Sequence, residues 1–494
     1  MNQNADLRDL QKENSDLRKE NLYLREEIAT LKRLIFGKKS ERFISTDPEL
    51  PPNTLFTQEQ QQPNESQPVE NLTEQISYTR DKPVVRKGGR KTLPEHLHRE
   101  IVILEPEQKE EDWKCIGKEV TEELEYKPGV LYVNRYERPK YVDPKNEKIH
   151  IAPMPSRVVD KCIAGPSLLS HTLVSKYLDH LHLHRQLQQL KRMHRIEIGK
   201  STFGDWLTKY VNELGPLYEA VQKEILSSRY LQIDESPFKV QSDEVEGKCH
   251  LGYMWVCRNP QSNVVLFSYQ KDRGGEYLKN HIGNFKGILQ CDGWKTYEQL
   301  QSNPQIKLIS CWAHARRYFE QAKDQDKARA EQILKYIQEL YDIERHCREN
   351  NYNNEQRQKL RHDHSVTILN TIKEYLDKNV DYILPDMAIG KAFSYAIKRW
   401  DKLSDYVNHG EVEIDNNLVE NSIRPLALGR KNYLFAGSEE SAQRAAIMYT
   451  LFGICILHNI NPYDWLTVIL SKIKNHPINR ISELLPQNWS PETI

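Results

Sequence analysis

Two aspartates interrupt stretches that otherwise read as buried strand: Asp234 in Leu231-Gln-Ile-Asp-Glu-Ser-Pro237 and Asp292 in Ile288-Leu-Gln-Cys-Asp-Gly-Trp294. A carboxylate buried without a partner is expensive, so two of them at matching strand positions point past a structural role to a shared cation. Hard oxygen donors suit Mg2+, which keeps several waters and is held by a few carboxylates, with Mn2+ expected as a substitute. In phosphodiester chemistry one such ion activates the attacking water or 3′-hydroxyl while a second stabilises the leaving oxygen, so no Ser or Cys nucleophile is needed. A third carboxylate is expected to complete the set. By spacing alone Glu411, Glu413, Asp415 and Glu420 all compete for that place.

The elements that must position these acids follow from periodicity. Strands are predicted at Tyr230–Val240, Gly252–Cys257 and Val264–Tyr269, then a helix, then strands at Gly287–Gln290 and Ile306–Ser310. Three strands, a helix and two more strands is the order of an RNase H-like sheet, so the fold class is α/β and multidomain, with core segments at 227–319 and 410–440. Residues 320–409 read as a charged helical insertion, and 441–494 as a C-terminal helical region in which Ala445–Leu457 is core. A helix is predicted to begin near Asp415 and to be disturbed at Pro425, with Glu420 and Arg424 on one face.

Upstream, residues 161–226 read as a helix-turn-helix region. The break at Ile196–Lys200 and an N-cap at Ser201 leave Arg185, Lys191, Arg192 and Arg195 on one flank, with Lys200, Ser201 and Thr202 on the other, as DNA contacts. His180 and His184 would share a helix face, but without a fixed carboxylate or cysteine partner they are not read as a metal site. Residues 93–160 read as small antiparallel strands, Val130–Tyr136 among them. Residues 44–92 read as a disordered linker whose basic end, Arg86, Lys87, Arg90 and Lys91, suits a phosphate backbone. Residues 1–43 hold a leucine zipper with Leu10, Leu17, Leu24 and Leu31 at d and Asn14 and Asn21 at a, the pattern of a parallel homodimer.

Composition sets bounds. Lys plus Arg and Asp plus Glu are both 70, so any basic surface is local. The eight cysteines form no CxxC pair, which argues against a disulfide framework and an intact zinc ribbon. The charged N-terminus and the lack of an apolar run of about 18 residues predict a cytoplasmic protein with no membrane span.

Together these motifs resemble the insertion sequence 66 transposases. The resemblance runs from Gly89-Arg-Lys-Thr-Leu-Pro-Glu-His96 through Asp234-Glu-Ser-Pro237, Cys291-Asp-Gly-Trp294 and Cys311-Trp-Ala-His-Ala-Arg-Arg-Tyr318 to Asn417-Leu-Val-Glu-Asn-Ser-Ile-Arg-Pro-Leu-Ala-Leu-Gly-Arg-Lys-Asn432 and Gly437–Leu470, nearly the whole length. It implies a DDE transposase that cuts at terminal inverted repeats of double-stranded DNA and joins the freed 3′-hydroxyls to a target. It carries the three catalytic and metal-binding acids onto Asp234, Asp292 and Glu420, separated by 58 and 128 positions. His314, Arg316 and Arg317 are then placed near the scissile phosphate, and Arg424, Arg430 and Lys431 become phosphate contacts. Such relatives carry a four-cysteine zinc ribbon where this chain keeps only Cys115 and has Arg138, Pro139 and Lys140 near the second pair, so zinc is not expected. A bacterial, nucleoid-associated location and small accessory transposition proteins are further implications. The rival readings are a catalytically silent DNA-binding regulator and an RNase H-like nuclease.

Overall fold

The computed structural model describes residues 129–137, 140–142, 149–151, 158–159, 162–242 and 247–490. The zipper, the linker, the basic run at 86–91 and Cys115 therefore lie outside the described residues. Residues 129–137, in one compact unit, have no regular secondary structure, and Val130, Tyr132 and Val133 are exposed. The strand expected at Val130–Tyr136 is thus not paired. The second unit, from residue 138 onward, opens with a short antiparallel pair, β1 (Lys140–Val142) and β2 (Ile149–Ile151).

Four helices follow: α1 (Pro166–Tyr177), α2 (Leu183–His194), α3 (Lys200–Glu213) and α4 (Gly215–Ser227). The turn expected between α2 and α3 is present, closed by Arg195 in the left-handed region (φ 53°). Helix α3, however, is capped by Gly199 and not Ser201, so Ser201 and Thr202 sit inside its first turn with exposed side chains. His180 is likewise not helical. It lies between α1 and α2 at φ 55°, is buried, and burial pulls its imidazole below the usual range, so it shares no helix face with His184.

The sheet comprises β3 (Tyr230–Gln241), β4 (Cys249–Asn259), β5 (Val264–Gln270), β6 (Gly287–Cys291) and β7 (Ile306–Ser310), in the order β5-β4-β3-β6-β7. The first three are antiparallel neighbours, while β6 and β7 run parallel to β3. The start of β3 is buried on both faces, as a strand covered by helices on each side must be, and its far half alternates. On one face Leu231, Ile233 and Leu289 join the core made with α1, α3, α4 and, later in the chain, α11 (Asn417–Tyr433), α12 (Glu439–Leu457) and α13 (Pro462–Lys472). On the other, Tyr230, Ile288 and Ile309 pack against α5 (Trp312–Ala322), α6 (Lys327–Glu349), α8 (Val366–Asn379) and α9 (Ala388–Lys398). Helix α7 (Asn354–Leu360) and α10 (Trp400–Ser404) complete the helical insertion.

Helix α12 closes the β5 edge of the sheet. Phe267 N donates to Thr450 Oγ1 (2.8 Å) and Tyr218 Oη donates to Phe267 O (2.8 Å), so groups that would otherwise offer an open edge are satisfied by side chains. A Cβ on Gly453 would come within 2.8 Å of Val265 Cγ1, so only glycine allows this approach. Helix α11 runs unbroken through Pro425, contrary to expectation. The amide that proline lacks would have bonded the carbonyl of Asn421, and Asn421 is exposed to water.

Candidate active site

The register of the sheet brings the two aspartates together. Gln232 is paired with Gln290 across the parallel β3–β6 ladder, so continuing two residues along each chain sets Asp234 level with Asp292. The alternation of side chains keeps both on the face of the two glutamines. Asp234 Oδ1 accepts from the Glu235 amide (2.8 Å), and Asp292 Oδ1 accepts from the Trp294 amide (2.8 Å). Gly293, between them in the turn, has no room for a side chain, since a Cβ would meet Arg399 Nε at 2.5 Å.

The same glutamines fix the helix that carries the next acid. Gln232 Nε2 donates to Gln290 Oε1 (2.9 Å) and to Asp415 O (2.8 Å), and its Oε1 accepts from Val419 N (3.1 Å). Gln290 Nε2 donates to Glu413 O (2.8 Å), while Tyr230 Oη donates to Gln290 Oε1 (2.6 Å) and accepts from Glu413 N (3.1 Å). These fully buried side chains read the backbone of residues 413–419, and the next residue along α11 is Glu420.

Two of the competing acids of this segment are occupied elsewhere. Glu413 accepts from Arg357 (3.1 Å), and Asp415 Oδ2 accepts from Tyr341 Oη and Asn417 Nδ2 (2.8 Å each). Glu420 differs: its Oε1 is buried with no hydrogen-bond partner. His314 Nε2 stands 3.7 Å from that oxygen and Arg317 3.8 Å from Oε2.

Electrostatics sets Asp234 and Glu420 apart as charge left uncompensated. Burial, then the charge of Glu235, with Glu420 and Asp292 adding to it, raises Asp234 well above the carboxylate range despite the Glu235 amide bond. Burial also raises Glu420, with Asp415 and Asp292 adding to it against Arg317 and Arg424. Burial and the Arg317 charge lower His314, against the pull of Asp292. Among the described residues no three His, Cys, Asp or Glu side chains converge tightly enough to hold an ion as they stand.

Glu235, on the opposite side of β3 from Asp234, is buried. Its carboxylate takes bonds from Arg273 and from Tyr297 Oη (2.6 Å), and Arg273 in turn lies 3.8 Å over the Trp294 ring.

The predicted basic residues divide. Arg317 faces Glu420, whereas Arg316 is held by Glu320 in the next turn (3.3 Å). Helical spacing carries that distinction, because His314 and Arg317 are three apart and share a face of α5. Arg430 donates to Ser236 Oγ (3.0 Å) and Pro237 O, tying α11 to β3, while Arg424 and Lys431 are exposed. Arg192, Arg195, Lys200, Ser201 and Thr202 are all exposed around the α2–α3 turn. Two cations were not anticipated: Arg399 donates to Gly293 O, and Arg399 and Lys402 line a small pocket with Asp292 and Trp294. Nothing in the charged helical insertion singled them out, because their place depends on how α9 and α10 fold back on the β6 turn.

The described free cysteines 162, 257, 291, 311, 347 and 455 are buried and Cys249 is exposed. No helix of the described residues is long and apolar enough to cross a membrane.

Comparison with known proteins agrees with this geometry. The profile of the transposase IS66 family matches residues 161–444, that of the IS66 C-terminal element residues 450–487, and one described as transposase C of IS166 homeodomain residues 23–102. The chain is 30% identical over 446 residues to uncharacterized protein y4hP of Sinorhizobium fredii (strain NBRC 101917 / NGR234), covering 84% of this chain and 78% of that one. It is also 30% identical to uncharacterized protein y4jD of the same organism, over 94% of both chains. The chain belongs to the IS66 transposase family.

Proposed function

We propose that this transposase is a DDE strand transferase on an RNase H-like core, binding the terminal inverted repeats of its element, cleaving to give 3′-hydroxyls and joining these to target DNA. The observation that carries the reading is the level placement of Asp234 and Asp292 on parallel neighbours, beside a Glu420 whose buried Oε1 has no partner. The donor set fits Mg2+: the three candidate ligands, Asp234, Asp292 and Glu420, offer only hard carboxylate oxygens, and two of them carry charge that burial leaves uncompensated. When bound, the ions would activate the attacking hydroxyl and neutralise the leaving oxygen.

The rest of the work falls to the chain itself. Arg317 and Arg424 flank Glu420 and are placed to hold phosphate oxygens, with Arg399 and Lys402 doing so beside Asp292. Gln232, Gln290 and Tyr230 hold the third acid in register with the other two. His314, with Nε2 3.7 Å from Glu420 Oε1, stands beside the third acid. The exposed α2–α3 turn and the basic run at 86–91 are the proposed DNA-end contacts, the zipper at 1–43 pairs two copies, and small accessory proteins are possible partners.

The test is strand cleavage and joining on duplexes carrying the element's own ends, with Mg2+ or Mn2+. Asp292→Asn and Glu420→Gln should each lower the rate by about a thousandfold or more, with DNA affinity retained. Wild-type protein that binds the ends but never cleaves, even with accessory proteins, would instead identify a DNA-binding regulator.

A further inference from the structure

Helix α11 ends in an unusual way. Leu434 adopts φ 60° and ψ −46°, and the Phe435 amide donates to Tyr433 O (2.6 Å), so these three residues form a γ-turn of the rare positive-φ kind. A bulky residue at this φ is strained, and the strain is not repaid by burial, because Leu434 is 65% and Phe435 44% exposed. Two large apolar side chains are thus held out into solvent, Leu434 on a backbone that disfavours it.

The turn is fixed to the catalytic core. Ala436 N donates to Lys239 O (2.9 Å) and Gln241 N to Ala436 O (2.8 Å), clipping the segment to the strand that carries Asp234. On its other side the Asn432 carbonyl bonds the His182 ring, and Tyr433 Oη bonds Tyr449 Oη. One stripe of α11 leads to it, from half-buried Glu420 through exposed Arg424, Leu428 and Lys431, at spacings of four, four and three. At about 1.5 Å per residue the tip lies about 20 Å along the helix from Glu420, a span of about six base pairs at 3.4 Å each.

Resting on the strand-transferase reading above, we propose that Leu434 and Phe435 form a wedge that enters a base step of the bound DNA about six base pairs from the reacting phosphate. The chemistry matches such a partner. Leu and Phe are side chains that unstack and kink a duplex when inserted between bases, and the gain offsets the unstacking only where cations hold the adjoining backbone. Here Arg424 and Lys431 lie on the same exposed stripe, and Lys239 is exposed on the strand that clips the turn. The nearest acid beyond the turn, Glu439, is drawn to Lys271 (3.4 Å). A rigid wedge on the acid-bearing helix would set the distance between the distorted step and the cleavage site.

The experiment places 2-aminopurine at successive positions from about three to about nine base pairs inside duplexes carrying the element's ends, and reads its fluorescence on addition of the full chain. A rise of several-fold confined to one or two adjacent positions is expected. It should be lost in Leu434→Ser/Phe435→Ser, and in Leu434→Gly, which relieves the backbone and should raise the melting temperature while weakening the signal. Flat fluorescence in a wild-type complex that still cleaves, or a signal kept by the double variant, overturns the wedge and leaves the strand-transferase reading standing. A chain that binds no ends overturns both. If the double variant changes the sedimentation coefficient of the DNA-free protein, the tip is instead a contact between copies of this chain, and the wedge is again overturned.

Discussion

Two buried acidic groups in this molecule meet opposite fates. In the insertion, Glu344 is fully buried and grips Arg361 through both oxygens (2.7 Å each), with Arg357 adding a third bond (3.1 Å). Burial pushes its carboxyl up, but the bonds and charges of Arg361 and Arg357 outweigh that and leave it below the usual range. At the end of the sheet, Asp234 and Glu420 are half-buried, yet both are raised, and Glu420 Oε1 has no hydrogen-bond partner. The insertion neutralises its charge internally and uses it to hold structure: Arg361 also donates to the carbonyls of Tyr406, His409 and Val412. Those bonds lead directly into the strap at 412–419 on which Glu420 depends.

Breaking the neutralised cluster should have the largest effect. Arg361→Leu leaves Glu344 with Arg357 alone and takes the side-chain bond from three carbonyls, and is expected to cost about 3–5 kcal/mol in urea unfolding followed by circular dichroism. Asp234→Asn should instead leave stability unchanged or raise it slightly in metal-free buffer, because it removes a charge that burial opposes. Equal destabilisation by the two substitutions would erase the contrast between the regions.

Much of this organisation was legible in the residues. The five strands could be placed because β-branched and apolar runs are bounded by turns, and Ile306–Ser310 falls where periodicity put it. The Asp234–Asp292 pairing was readable as two acids in like positions, although their register is a property of the ladder. A choice among Glu411, Glu413, Asp415 and Glu420 was not, since spacing does not show the long-range partners that occupy two of them: Arg357 for Glu413, Tyr341 for Asp415. Local rules misplaced the α3 cap because Gly199 supplies the extended N-cap backbone without a side-chain bond. They also set a break at Pro425, where one lost amide bond is cheap beside an exposed carbonyl. Val130–Tyr136 shows the converse failure, since β propensity without a neighbouring strand to pair with does not make a strand.

The next effect in size probes the link between the regions. Gln232→Leu removes the bonds to Asp415 O and Val419 N, leaving Val419 N only its bond to Asn416 O. Cleavage under saturating DNA should fall about 10- to 100-fold while the dissociation constant for DNA stays within about twofold, because the third acid shifts and the binding surface does not. A matched loss of affinity would mean that the glutamine supports the fold at large.

Ligand binding should distinguish the uncompensated site from the compensated one. Magnesium at about ten times its dissociation constant should stabilise the wild-type chain by about 1.4 kcal/mol, read as a melting shift of a few degrees. Asp292→Asn and Glu420→Gln should abolish that shift, and Glu413→Gln, which lies on the neutralised side with Arg357, should keep it. A shift retained by all three would place the ion elsewhere.

The smallest effect is the dependence of stability on pH, and here the two regions should differ in sign. Glu344 has a folded-state pKa below its unfolded value, so its contribution is complete above the unfolded pKa and is lost as pH falls through the folded one. Asp234 has a folded-state pKa above its unfolded value, so the folded state holds the proton longer. Stability from this group therefore declines as pH rises from the ordinary aspartate range to the raised value. Melting curves in chelator from about pH 2 to about pH 8 should show both slopes in the wild type. Glu344→Gln should remove the rise on the acid side, and Asp234→Asn should remove the decline above it. If Asp234→Asn leaves the profile unchanged, its carboxylate is already compensated without a metal, and the difference between the two regions is one of geometry alone.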